Sequence, residues 1–376
     1  MSAVPKICIL GGSGNTGAKL AALLLRATEA QVTLCARSAD QLEATRTRLA
    51  TGSNPERIHL QAVDVKDQGD FRRVLENQDL LVVTAAVTPY IESVARTAMA
   101  TGTDMLDVIF SRQKLDRLRA MRDDIEHSGR CFITEAGFHP GLPSALVRWA
   151  ATRFDTLYRA NIFGVIHQDW SNLDIKESTI LEFIEELQSM DLSFYQDGYW
   201  QQGSYFSMKG FHKKSFLHDL GTYWCAPMMF PELTDLPRQI PELKETGFFI
   251  AGFHWFIDYV IFPLVFIGLK FWPARFHTVL ARFFFHRLAA VSKPPFFTAL
   301  KLEAAGIRDE KHSSLSLQLS HEDGYWFTAI PVAAAIIQWM DYRDPGLHFM
   351  GQYVEPDSFL KQMETFGIHI TVLKED

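Results

Sequence analysis

Lys6-Ile7-Cys8-Ile9-Leu10-Gly11-Gly12-Ser13-Gly14-Asn15-Thr16-Gly17-Ala18-Lys19-Leu20 sets the fold of the first third of the chain. A five-residue apolar run meets a turn with glycine at 11, 12, 14 and 17, and helix formers follow through Leu25. The order is strand, glycine turn, helix. Glycine at such a junction lets backbone close on a pyrophosphate, while the helix N-terminus offers unpaired N–H groups and a partial positive charge. A tight turn without a ligand can carry the same glycines, so the context has to decide.

Working outward, a second apolar run, Gln31-Val32-Thr33-Leu34-Cys35-Ala36, follows one helix later and ends on Arg37-Ser38. NAD sites place an acid at this strand end for the ribose 2′-OH, whereas NADP sites place an arginine nearby for the 2′-phosphate. Arg37 and Ser38 therefore point to NADP; the alternative for Arg37 is a solvated loop charge. Asp64 follows the run Ile58-His59-Leu60-Gln61-Ala62-Val63, where it would meet the adenine or cap the next helix. The run Asp79-Leu80-Leu81-Val82-Val83-Thr84-Ala85-Ala86 is nearly all apolar, as a parallel strand covered on both faces should be. Its end, Thr84, Ala85 and Ala86, is expected to line the nicotinamide side. The rhythm continues as a helix over 91–99, a strand over 104–108, a helix over 114–127 and a strand over 131–134. An α/β doubly wound parallel sheet of the Rossmann type follows. The cofactor candidates are Gly11, Gly12, Ser13, Gly14, Asn15, Thr16, Gly17, Arg37, Ser38, Asp64, Thr84, Ala85 and Ala86.

The 376 residues exceed what one hydrophobic core accommodates, so two domains are expected. A formal net charge of −7 argues against nucleic acid as a partner, because phosphate binding draws on clustered basic charge. Cys8, Cys35, Cys131 and Cys225 lie far apart without a CxxC, which suggests neither a disulfide framework nor a zinc site, and no metal site is expected. The first strand begins too early to leave room for a cleavable signal, so a reducing, cytoplasmic setting is expected.

Several separated motifs resemble the saccharopine dehydrogenase-like oxidoreductases over nearly the whole chain. Thr84-Ala85-Ala86-Val87-Thr88-Pro89-Tyr90 resembles the family's Pro-Tyr turn after the fourth strand. Thr101-Gly102-Thr103-Asp104-Met105-Leu106-Asp107 resembles its Gly-Thr-x-Tyr-x-Asp stretch, with Met105 in place of Tyr. Gly137-Phe138-His139-Pro140-Gly141-Leu142-Pro143-Ser144 resembles its Gly-x-Asp-Pro-Gly turn, with His139 replacing Asp. Asp323-Gly324-Tyr325, Thr328-Ala329, Pro345-Gly346 and Val354-Glu355-Pro356 resemble its closing segment. The resemblance implies a discontinuous architecture. Residues 1–138 and 328–376 would form the NADP-binding domain, and 139–327 a substrate and dimerisation domain inserted before the C-terminal helices. A homodimer is implied as well.

The inserted region reads as mixed α+β. Ile180, Phe183, Ile184 and Leu187 fall at i, i+3, i+4 and i+7, a helical stripe. Leu315, Leu317 and Leu319 alternate with polar residues after a break at Ala305-Gly306, the pattern of a half-buried antiparallel strand. Residues 248–271 are almost entirely apolar over a length close to the roughly 20 residues that span a bilayer. Asp258 near its middle, Pro263, and two termini expected in one domain argue against a crossing. Lys270, Arg275, Arg282, Arg287 and Lys293 lie among Phe271, Trp272, Phe276, Phe283, Phe284 and Phe285, a mixture suited to an anionic lipid interface. Peripheral membrane contact through 248–287 and a buried core or dimer interface both fit.

A nicotinamide cofactor supplies hydride, so the protein has to contribute orientation and a proton donor. His139 is the first candidate, since an imidazole can donate or accept near neutral pH; fixing the Pro140-Gly141 turn is its structural alternative. Tyr90 and Asp107 are the others, with packing beside the cofactor and helix capping as their alternatives. No Tyr-x-x-x-Lys pair supports a short-chain dehydrogenase mechanism. No arginine cluster specifies a dicarboxylate, and the aromatic middle region suits a lipophilic small molecule. An NADP-dependent oxidoreductase is the expected function. A non-catalytic NADP-binding protein that docks to a membrane or partner is the alternative.

Overall fold

Ile7, Cys8, Ile9 and Leu10 are all buried, because the strand they form is covered on both faces and paired on both edges. The computed structural model describes residues 4–171, 180, 184, 187, 190–205, 207–217 and 220–375. These divide into two units, Met1–Leu142 with Tyr325–Phe366, and Pro143–Gly324 with Gly367–Asp376.

The first unit is a seven-stranded, all-parallel sheet. Its strands are β1 (Lys6–Leu10), β2 (Gln31–Ala36), β3 (Ile58–Ala62), β4 (Leu80–Val83), β5 (Asp104–Asp107), β6 (Cys131–Thr134) and, from the returning chain, β15 (Gly346–Phe349). The spatial order β15-β6-β5-β4-β1-β2-β3 is that of a doubly wound dinucleotide-binding sheet with one strand added at its edge. Helices α1 (Asn15–Ala27), α2 (Ala39–Ala50), α3 (Gln68–Leu75) and α4 (Ile91–Thr101) connect the strands. The expected helix over 114–127 is two, α5 (Arg112–Ala120) and α6 (Arg122–His127), because Met121 leaves helical geometry at φ −100, ψ 9. The helix Gly324–Asp341 returns to this sheet and is tied to it where the buried Trp339 indole donates to Asp104 at 2.9 Å. All four cysteines are buried free thiols.

The second unit leaves through α7 (Leu142–Ala151) and builds a mixed sheet on β7 (Thr156–His167). β7 runs parallel to β12 (Glu245–Ala251) on one side and antiparallel to β13 (Phe297–Arg308) on the other. Outward lie β11 (Thr222–Pro227) and β10 (His212–Ser215) beyond β12, and β14 (Lys311–His321) beyond β13. The hairpin β8 (Ser193–Gln196) and β9 (Tyr199–Gln202) touches β12 at Thr246. The last strand, β16 (His369–Glu375), pairs with β14, so residues 367–376 fall in this unit and not with the nucleotide-binding sheet as expected. Leu315, Leu317 and Leu319 lie in β14 with their side chains buried. Ala305-Gly306 is no break: β13 continues through it with a bulge. Of the predicted helical stripe, Ile180, Ile184 and Leu187 are buried in one apolar cluster, and Phe183 lies outside the described residues.

The apolar stretch 248–271 is not one segment. Residues 248–251 are the last four of β12, 252–254 turn, and 255–271 are helical. Asp258 fixes the turn: its Oδ1 accepts the Phe253 N–H at 2.9 Å and its own N–H donates to the His254 carbonyl. It therefore stands at the root of a helical arm, where burial pushes its carboxyl pKa up. Residues Ile257–Ile261 form a π stretch just before Pro263, at a point where proline's missing N–H removes a helical donor. Among the described residues no helix is long and apolar enough to cross a membrane.

Candidate functional site

The glycine turn joins β1 to α1 by close backbone approach. Gly11 takes φ +92, a left-handed value, and its N–H donates to the Cys35 carbonyl of β2 at 2.8 Å. A side chain there would come within 2.7 Å of Thr84 Oγ1 and 2.9 Å of the Ala85 nitrogen. At Gly17 a Cβ would meet the Gly11 carbonyl and lie 2.9 Å from Thr84 Oγ1. Thr84 is the post against which the turn is set, donating from Oγ1 to the Leu10 carbonyl at 3.0 Å and from its N–H to the same oxygen at 2.8 Å. β4 stops at Val83, and Thr84, Ala85 and Ala86, expected inside the strand, form the loop that follows it.

Gly14 is the N-cap of α1 at φ −79, ψ 171, with no side-chain cap, and the first turn holds no acid. A 13-residue helix with its first N–H groups uncapped and no carboxylate beside them suits an anion. Ser13, Asn15 and Thr16 lie in the same turn and its continuation into α1.

Beyond β2, Arg37 is exposed and makes no hydrogen bond or ion pair among the described residues. Ser38 is the N-cap of α2; its Oγ accepts the Gln41 N–H at 3.3 Å and keeps its own proton to donate. Asp64 does not cap α3. Its Oδ1 accepts the Lys66 N–H at 3.0 Å within a turn, and Asp67 provides the cap by accepting from Asp70 N at 3.0 Å. The glycine turn, Arg37, Ser38, Asp64 and Thr84-Ala85-Ala86 all follow the C-terminal ends of β1 to β4, where open α/β sheets bind ligands. A cavity of about 560 Å³ lies instead along the open edge strand β3, between Lys6, Gln31, His59 and Gln61 and the side chains of Asp70, Arg73 and Gln78, away from the glycine turn.

Tyr90 is half-buried after β4, with Lys66 Nζ 5.7 Å from its ring centre. Asp107 ends β5 fully buried and caps no helix; Ser111 caps α5. Its Oδ1 accepts the Ile109 N–H at 3.1 Å and the Lys114 ammonium at 2.9 Å. Lys114, fully buried too, also donates to Thr134 Oγ1 at 2.7 Å. The arrangement ties the ends of β5 and β6 together, and the Asp107 carbonyl accepts the Ala136 N–H at 2.9 Å. Sequence reasoning missed Lys114. The signal was there: 114, 118 and 121 are i, i+4 and i+7, so a lysine occupies an apolar slot shared with Leu118 and Met121.

The segment after β6 carries His139. Its ring stacks on Phe138 with centroids 3.8 Å apart, and Phe138 stacks in turn on Phe327 of the returning helix at 5.2 Å. Burial lowers the imidazole pKa to about 4, a hydrogen bond with its own backbone opposing the shift. At pH 7 the ring is neutral, so it carries no ready proton. In the second unit, Ser144 donates to the buried Glu232.

Residues 7–132 match the family model of the saccharopine dehydrogenase NADP binding domain. Over 99% of both chains the fold is similar to saccharopine dehydrogenase (L-Glu forming) from Saccharomyces cerevisiae, with a TM-score of 0.68 at 16% identity. It is also similar to C. glutamicum DAP dehydrogenase in complex with DAP, with a TM-score of 0.50 at 12% identity over 97% of this chain and 99% of that one. No curated relative matches the chain. The resemblance read from the motifs holds for residues 7–132, which carry an NADP-binding domain of the saccharopine dehydrogenase type, and the fold over nearly the whole chain is similar to that of a saccharopine dehydrogenase. An NADP-dependent oxidoreductase is supported at that general level.

Proposed function

We propose that the chain transfers hydride between NADP and a small lipophilic substrate. The observation that carries this reading is the uncapped, acid-free N-terminus of α1 behind a turn that admits no side chain at 11 or 17. When bound, NADP supplies the hydride chemistry. The glycine turn with Ser13, Asn15 and Thr16 holds its pyrophosphate, Arg37 and Ser38 take the 2′-phosphate, Asp64 meets the adenine side, and Thr84 to Ala86 keep their loop beside the turn. His139, neutral at pH 7, orients a substrate oxygen through a hydrogen bond, with Tyr90 the group that offers a hydroxyl proton. Asp107 is withdrawn from that role by its salt bridge with Lys114 and holds the strand ends instead. The lipophilic class rests on the sequence, which offers no arginine cluster that would specify a dicarboxylate.

Deuterium transfer from NADPH labelled at either C4 position tests the proposal against a metabolite extract split into organic and aqueous fractions. Stereospecific transfer into one organic-phase product is expected. Saturable NADPH binding without transfer into either fraction overturns the enzyme reading, and transfer confined to the aqueous fraction overturns the lipophilic one.

A further inference from the structure

The helical part of the apolar segment, 255–271, is the first arm of a hairpin whose second arm, His277–Val291, follows after a short turn. One face of each arm packs inward: Ile257, Ile261, Val265 and Leu269 recur every four residues on the first, and Ala281, Phe284, Phe285 and Leu288 answer from the second. The outer face is apolar as well. Val260, Leu264, Ile267 and Phe271 are exposed at i, i+4, i+7 and i+11, and Phe271 is 71% exposed. Trp272, Phe276, Val279 and Phe283 carry the stripe around the turn and along the second arm. Ten of the 16 large hydrophobic residues exposed among the described residues lie between Trp255 and Phe283. Single exposed apolar residues need no explanation; a continuous patch implies something that covers it.

The charges on the hairpin say what. Between Asp258 and Glu303 the sequence has no acidic residue, while Lys270, Arg275, Arg282, Arg287 and Lys293 supply five cations before Lys301. This lies in a chain of net charge −7. The five are exposed, and three sit over exposed rings: Lys270 5.7 Å from Phe271, Arg275 5.0 Å from Phe276 and Arg287 5.2 Å from Phe283. Basic heads beside aromatic rings at the edge of an apolar stripe match the boundary between lipid headgroups and acyl chains, where Trp and Phe sit in the interface and Lys and Arg meet phosphates. A second copy of the chain matches poorly, because a two-fold contact would set this basic surface, whose one carboxylate, Asp258, is tied into its own turn, against itself.

We propose that the hairpin 255–291 is a monotopic docking surface for an anionic lipid bilayer. It lies in the interface without crossing it: at about 1.5 Å per residue the longer arm, 255–271, reaches only about 25 Å and the second about 22 Å, short of the roughly 30 Å hydrocarbon core. The proposal is independent of the hydride-transfer reading.

The test uses the full chain loaded with NADPH and co-sedimented with phosphatidylcholine vesicles with and without phosphatidylserine. Binding to the serine-containing vesicles is expected to weaken with salt. Phe271→Ser with Trp272→Ser is expected to weaken partition by about tenfold or more. Arg275→Gln and Arg282→Gln should each weaken it by about fivefold. Both aromatic positions are exposed, so thermal unfolding and NADPH affinity are expected to stay at the parent values, which keeps lost docking distinct from lost fold. Equal partition to the two vesicle types, or no pelleting above the vesicle-free control, overturns the proposal. So does a dimer in lipid-free buffer that the double serine variant dissociates, since that outcome assigns the patch to a second copy.

Discussion

β4 and residues 248–271 begin as the same kind of sequence, an unbroken apolar run, and end in opposite settings. In the first unit Leu80, Leu81, Val82 and Val83 are consumed whole by a parallel strand, every side chain at 0% exposure. In the second unit β12 absorbs only the start of the run, and the remainder becomes a helical arm with one buried stripe and one exposed stripe. The charges divide the same way. The first unit hides a lysine and pairs it with Asp107, whereas the hairpin leaves its four cations, and Lys293 just beyond it, in solvent. An apolar run as long as a strand seeks the interior, and a run several times longer has to find a partner outside.

The largest effect that would break this contrast is expected at the buried pair. Lys114→Met leaves Asp107 charged and alone in the interior, and urea unfolding should show a loss of about 3–5 kcal/mol. Adding Asp107→Asn should recover most of it, since no buried charge is then left. If the single variant unfolds like the parent, the pair is not what holds the ends of β5 and β6.

A smaller, pH-dependent effect is expected at His139. Its folded pKa of about 4 lies below the ordinary value of 6.5, so the unfolded chain binds the proton more readily. Its neutral burial is therefore without penalty above pH 6.5, and stability falls as pH drops toward 4, by about 2–3 kcal/mol. His139→Gln should flatten that part of the stability profile against the parent. An unchanged slope would put the ring in water and out of the stack with Phe138.

The first unit was legible because its signals are local. Each strand, glycine turn and helix of a βαβ unit lies within a few tens of residues, and Gly11 to Gly17 and Arg37 to Ser38 could be placed at strand ends before any contact was known. The differences there are of capping and extent: capping is the alternative role for Asp64 and Asp107, and Asp67 and Ser111 cap instead, while β4 ends at Val83 and Thr84 begins the loop. The second unit was less legible because its pairings are distant. Ile162 meets both Phe248 and Leu302, and nothing near residue 248 announces that four residues of an apolar run will be taken into a strand. The same holds for β16, whose residues follow the returning helices in sequence yet pair with β14. His139 could be found from its motif, but its neutral state comes from burial, which the motif does not contain.

The central claim, that the glycine turn and Arg37 make an NADP site, is tested most directly by titrating NADPH and NADH onto the chain and onto Arg37→Ala by cofactor fluorescence. The parent is expected to prefer NADPH, and Arg37→Ala to weaken NADPH by about tenfold or more while leaving NADH unchanged, because only the 2′-phosphate loses its partner. Equal affinity of the parent for the two cofactors, or an NADPH affinity that survives the loss of Arg37, would contradict it.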